Sequence, residues 1–172
     1  MIEPVIDMAS PKKIETNDWQ VFNFRYDERI SFNAESMMID PSTRDLLIVT
    51  KSTIPPYAYV YKTFLDIEPG SMGILENTGI TLMLPDATDA TTSADGQVVI
   101  VRLYVGAFFW PRRPRQSSKS TIVDILREEE CLVSVGMQRQ GESVALNPLG
   151  TSYFTHSEFV NQSIWQYDIL SS

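Results

Sequence analysis

Cysteine occurs once in the 172 residues, at Cys131, and histidine once, at His156. A single thiol makes an intramolecular disulfide impossible and excludes zinc sites built from several thiolates. Positive charge is scarce as well, with 14 Lys and Arg against 22 Asp and Glu and a formal net charge of −8. Such a chain lacks the basic face that nucleic acid or an anionic membrane surface recruits, so no nucleic-acid partner is expected. No window approaches the roughly 18 apolar residues of a membrane-spanning helix. The first residues carry Glu3 and Asp7 where a secretory leader needs a basic and then an apolar run. The expectation is a soluble chain without a signal peptide; its compartment is left open. Gly-x-Ser-x-Gly, phosphate-loop, Gly-x-Gly-x-x-Gly and His-Glu-x-x-His patterns are all missing, which removes the commonest enzyme signatures.

What the chain does have is a globular composition, 43% hydrophobic and 21% charged, and an internal repeat. Glu35-Ser36-Met37-Met38-Ile39-Asp40-Pro41 returns 107 residues later as Glu142-Ser143-Val144-Ala145-Leu146-Asn147-Pro148. Each copy runs through a turn into a β-rich segment, Leu46–Lys51 in the first and Thr151–His156 in the second, and then into an aromatic segment, Tyr59–Lys62 and Ile164–Tyr167. Midway lies Asp89–Gly96, followed by Val98–Tyr104 and Ala107–Trp110, so the unit occurs three times at a period near 53. Val, Ile, Thr, Tyr and Phe favour strands, and the Asp-Pro, Asn-Pro and Asp-Gly pairs punctuate them as turns.

Gly79–Leu84 and Leu132–Val135 supply a fourth strand to the first two units. Four-stranded meanders repeated at this spacing are propeller blades. The expected fold is all-β: a partial β-propeller of about three four-stranded antiparallel blades, near 33–84, 88–138 and 141–170, after an N-terminal arm over 1–18, with 19–172 as the propeller part. Trp19–Tyr26 reads as an alternating strand, the outer edge of a preceding blade. Asp66–Thr78 reads mostly as a loop. Thr121–Glu130 reads as a short helical insertion, with Ser120 as its N-cap and Ile122, Ile125 and Leu126 on one face. Cys131, closing that apolar-periodic stretch, is expected in the core, as are the aromatic strands. Dividing the length by the period gives about three units, fewer than the four blades of the smallest usual closed ring. A second copy closing the ring as a homodimer is therefore one expectation.

The run from Asn33-Ala34-Glu35-Ser36 through Asp40-Pro41 to Leu47-Ile48-Val49-Thr50-Lys51 resembles the inner-blade signature of six-bladed, TolB-like propellers. Thr88–Gly96 with Arg102-Leu103-Tyr104 and Phe109-Trp110 is similar to a second blade, and Gly141–Ser143 with Tyr153–Glu158 to a third. More distantly, the chain resembles esterase-like phytase and gluconolactonase propellers. The resemblance implies ligand binding at one mouth of the central channel, with Lys51, Arg102, His156 and Glu158 as candidate mouth residues. It also implies that carboxylates at matching places, Glu35, Asp89 and Glu142, could hold a divalent ion such as calcium, which prefers hard oxygen ligands. Two functions stay open here. One is a binding or scaffold module for a protein or small-molecule ligand, with no enzymatic role. The alternative is a calcium-dependent ester or phosphoester hydrolase, in which the ion polarises the substrate. In a third view the chain is a piece of a longer propeller. Arg112, Arg113 and Arg115 form a compact basic loop that reads as solvated and Pro-stiffened.

Overall fold

The computed structural model describes residues 20–169 apart from 115, 118, 119, 134 and 137. Almost all of its regular structure is β, and it forms three curled sheets. The first comprises β1 (Asn23–Tyr26), β2 (Ala34–Ile39), β3 (Asp45–Thr50), β4 (Ala58–Phe64) and β5 (Met72–Leu82). The second comprises β6 (Ala87–Thr92), β7 (Val98–Leu103), β8 (Ala107–Pro111) and β9 (Cys131–Val133), with the helix α1 (Ile122–Ile125) inserted before β9. The third comprises β10 (Gly141–Leu146), β11 (Ser152–Ser157) and β12 (Trp165–Asp168). Within each sheet β2 to β5, β6 to β9 and β10 to β12 pair antiparallel in chain order, the meander of a propeller blade.

The repeat is physical as well as textual. The turn after each inner strand is closed by the same backbone bond, Asp40 N to Asp45 O, Ser93 N to Val98 O and Asn147 N to Ser152 O, each 2.9 Å. Short polar side chains at those three places hold the turn from inside. Asp40 Oδ1 accepts from Ser42 N at 2.8 Å, Ser93 Oγ from Gln97 N at 2.9 Å, and Asn147 Oδ1 from Thr151 N at 2.8 Å. Asp, Ser and Asn are the residues whose side chains reach their own backbone in this way. Each inner strand also carries an irregularity in its pairing at the same point, between Ala34 and Ser36, Ala87 and Asp89, and Gly141 and Ser143. The residues set out of register are Glu35, Thr88 and Glu142.

The inner strands lie side by side, with β6 packed against β2 on one flank and β10 on the other. Because side chains alternate along a strand, each blade presents one row to its predecessor and one to its successor. Met38, Leu47, Val49 and Val60 of the first blade meet Ala90, Val99, Val101 and Trp110 of the second, and Ile122, Ile125 and Leu126 of the helical insertion close the outer end. A fully buried Val, Leu or Ile contributes roughly 1.5–3 kcal/mol, so this junction is the larger source of cohesion. The next is smaller: Val98, Ile100 and Ala107 against Val144 and Tyr153. The remaining rows face no blade. Met37 and Ile39, on the side of β2 turned away from β6, are 60% and 45% exposed, and Ser143 and Ala145 on the far side of β10 are exposed too. Phe32 and Tyr26 lie over part of the first of these faces, with Phe32 5.4 Å and Tyr26 4.6 Å from the Tyr61 ring.

Several expectations are corrected here. The strand ending at Tyr26 does not belong to a preceding blade; β1 runs parallel to β5 on the outer edge of the first sheet. Gly73 allows this, since a β-carbon there would sit 2.6 Å from the Phe24 ring. The supposed loop at 66–78 gives way to strand at Met72, because β5 extends along β4 and β1. The helix has four residues, and Thr121 caps it through a capping box with Asp124 in place of Ser120. Cys131 is exposed, lying in an edge strand and not in the helical core. Trp165 is 46% exposed and so is not core. In the third sheet three strands are seen among the described residues. The arm over 1–18 lies outside the described residues.

Candidate functional site

At the end where inner strands begin and second strands finish, three backbone bonds repeat: Lys51 N to Asn33 O at 2.8 Å, Tyr104 N to Asp86 O at 3.3 Å, and Glu158 N to Gln140 O at 3.0 Å. Lys51, Tyr104 and Glu158 are therefore equivalent positions on successive blades. Strand register makes Val49, Arg102 and His156 the preceding equivalent set, since Ser36 pairs with Val49, Asp89 with Arg102 and Ser143 with His156. Of the four expected mouth residues, Lys51 and Glu158 thus share one level of the rim, and Arg102 and His156 share another, two residues earlier along their strands. The same register puts Thr88, and not Asp89, level with Glu35 and Glu142.

Two small networks form this rim. Lys51 Nζ donates to Glu35 Oε2 at 2.6 Å and to the Tyr104 hydroxyl at 2.7 Å, bridging the first junction, and lies 4.0 Å from the centre of the Tyr104 ring. Its side chain is only 8% exposed. That burial works against the ammonium, yet the bonds to Glu35 and Tyr104 outweigh it and hold the pKa above the ordinary lysine value. On the third blade Gln140 Nε2 donates to Glu142 Oε1 at 2.9 Å and to Glu158 Oε2 at 2.5 Å. A neutral amide thus bridges two carboxylates, and their charge is left uncompensated within the pair.

Behind the rim the arrangement differs from the sequence reading. Arg102 is fully buried and is no surface ligand residue. Its Nη1 donates to Gly106 O at 2.7 Å and its Nη2 to Gln138 Oε1 at 2.6 Å, while Nε has no partner among the described residues. Burial lowers its pKa from the ordinary arginine value. A β-carbon on Gly141 would overlap this guanidinium, so the glycine is required by the arginine. Asp89 is turned into the second junction, where Oδ2 accepts from Val144 N at 2.8 Å and Oδ1 from Ala90 N at 2.8 Å. Burial nevertheless raises its pKa above the ordinary carboxylate value. His156, half-buried, sits on the side of β11 opposite Tyr153 and Thr155, facing away from the second blade.

Glu35, Asp89 and Glu142 are thus held in three separate sets of bonds. Among the described residues no group of three or more His, Cys, Asp or Glu side chains is placed to hold a metal ion. Tyr104, Gln138 and Gln140 were missed by sequence reasoning. Tyr104 already closes the repeated segment Val98–Tyr104, two residues after Arg102, and was recoverable by comparing it with Lys51, whereas neither glutamine carries a sequence signal.

Among the described residues no helix is long and apolar enough to cross a membrane. No protein-family model and no curated relative matches the sequence. Solved structures do. A chain of the nidogen/laminin complex is 8% identical at a TM-score of 0.52, covering 78% of this chain and 44% of that one. Sqt1 of Saccharomyces cerevisiae is 10% identical at 0.54, covering 88% and 35%. A protein proposed to be a 6-phosphogluconolactonase from Bacteroides uniformis is 10% identical at 0.54, covering 87% and 41%. All three have propeller-type folds, and this chain spans less than half of each. At these identities the likeness establishes the fold alone: the chain folds as part of a β-propeller.

Proposed function

We propose that the chain is a propeller binding module whose rim takes a cationic segment of a protein partner. The observation that supports this most is Gln140 between Glu142 and Glu158. Two carboxylates sharing one neutral donor attract a lysine or arginine side chain more than either does alone, and the net charge of −8 steers such a partner inward. Lys51, by contrast, already has its anion in Glu35. The test is calorimetric titration with two decapeptides, one alternating Lys and Ser, the other Glu and Ser. The basic peptide should bind, and the Glu142→Gln, Glu158→Gln double variant should lose that binding without a change in melting temperature. Equal binding of the acidic peptide, or full binding by the double variant, would overturn the reading.

The module works as a closed ring, and a second copy supplies the further blades. Supporting this, the uncovered rows hold Met37, Ile39 and Ala145 at places equivalent to those that make the internal junctions. Two copies would also account for 70–88% of the length of the three propeller chains.

A further inference from the structure

A second concavity lies apart from the rim networks, between the turn after β7 and the segment following β9. It encloses about 710 Å³ and is lined by Val105, Gly106, Leu132, Val133, Val135 and Gly136, together with Gln138 and Arg139. That size suits a small organic ligand. The walls are mostly apolar, and Leu132 and Val105 remain 73% and 80% exposed at its edge.

Its polar corner is built around a buried positive charge that hydrogen-bonds to no carboxylate among the described residues, Glu142 acting on it through space alone. Arg102 is fully enclosed, and the bonds of its guanidinium go to neutral oxygens, Gly106 O and Gln138 Oε1. Taking a cation out of water without a hydrogen-bonded anion is costly. The guanidinium also fixes the orientation of the Gln138 amide, because only the amide oxygen can accept from it. Gln138 is 7% exposed, and its Nε2, the remaining donor, has no partner among the described residues. Donation from Arg102 into Oε1 polarises the amide and strengthens that free N–H. Arg139, exposed on the same wall, adds a second positive charge.

An apolar cavity with a buried, polarised donor and a cationic background matches one chemistry. We propose that this cleft binds a small monocarboxylate with an apolar body, its carboxylate on Gln138 Nε2 and within reach of Arg139, its body against Val105, Leu132, Val133 and Val135. The cleft is a different place from the rim proposed for a cationic segment, and the two ligands carry opposite charge.

The test is titration of the full chain at pH 7 with octanoate, octan-1-ol and octylammonium, which share one apolar body and differ in the head. A hydrogen bond to a charged group makes octanoate the tightest, by about 10- to 100-fold over octanol. Gln138→Leu should remove that advantage while octanol binding persists. Leu132→Ser, at an exposed position where folding is little affected, should weaken all three ligands, which guards against a Gln138 variant that does not fold. Octanol binding as tightly as octanoate, octylammonium binding best, no saturable octanoate binding at millimolar ligand, or an unchanged preference in a folded Gln138→Leu would each overturn the proposal.

Discussion

Asp40 offers the sharpest test of how the blades are joined. It is 2% exposed and serves two elements at once. Oδ1 accepts from Ser42 N at 2.8 Å and Ser42 Oγ at 2.6 Å, closing the first inner turn, while Oδ2 accepts from Ile122 N at 2.7 Å, the first amide of the helix inserted in the second blade. Burial would raise its pKa, but the Ser42 hydroxyl and the three backbone N–H donors, Ile122, Ser42 and Thr43, hold it below the ordinary carboxylate value. Asp40→Ala leaves Ile122 N–H buried without an acceptor, at about 1–3 kcal/mol, and removes the turn bonds as well. The expected loss is about 3 kcal/mol, or roughly 6–12 °C in melting temperature for a chain of this size. Ile122→Pro isolates the inter-blade bond, because proline fits the first helical position and lacks only the N–H. Thr121 ahead of it is extended, at φ −81 and ψ 169, as a pre-proline residue must be. The double-mutant cycle of Asp40→Asn with Ile122→Pro cancels the lost isoleucine packing and should return a coupling of about 1–2 kcal/mol. The pH dependence follows in sign. A carboxylate with a lowered folded pKa stabilises the protein above its unfolded pKa, and that stability disappears as pH falls through the folded value. Asp40→Asn should therefore flatten part of the acid limb below about pH 4, the unfolded aspartate range. A melting-temperature loss under 2 °C in Asp40→Ala, or no coupling in the cycle, would refute the argument.

Gly141→Ala should cost about 3 kcal/mol in urea denaturation, since the added methyl collides with an enclosed guanidinium. In an Arg102→Met background the same substitution should cost less than about 1 kcal/mol, because the obstacle is gone; an equal cost in both backgrounds would contradict the collision. Calcium at millimolar concentration should leave the melting temperature within about 1 °C, because the Asp89 oxygens accept backbone N–H bonds and Glu35 and Glu142 hold Lys51 and Gln140. A larger rise, abolished by Glu142→Gln, would favour the metal-dependent hydrolase.

The repeat was legible because its turns need short polar side chains at fixed places, and Asp40, Ser93 and Asn147 announce them. The strands between were legible from β-branched residues. What escaped depends on partners distant in sequence. β1 reads like any alternating strand, and nothing in Trp19–Tyr26 says that it will run parallel to β5 against a glycine. Cys131 fell on the apolar period of a helix that stops at Ile125, so the period continued on paper where the chain had turned into an edge strand. Asp89 was matched to Glu35 and Glu142 in place of Thr88, one position out, because the bulged residues break simple counting along each inner strand. Arg102 looked like a mouth residue since arginine is normally exposed; its burial is permitted by the absence of a side chain on Gly141, 39 positions away.

The proposed pairing of two copies through the exposed end faces is tested most directly by the mass of the chain in solution. Light scattering at micromolar concentration should give 39 kDa, twice the 19.5 kDa of one chain, and Met37→Asp with Ile39→Asp, at exposed positions on the first end face, should return it to one chain with the fold intact. A monodisperse 19.5 kDa species, unchanged by those substitutions, would contradict the claim that these faces are built to be covered.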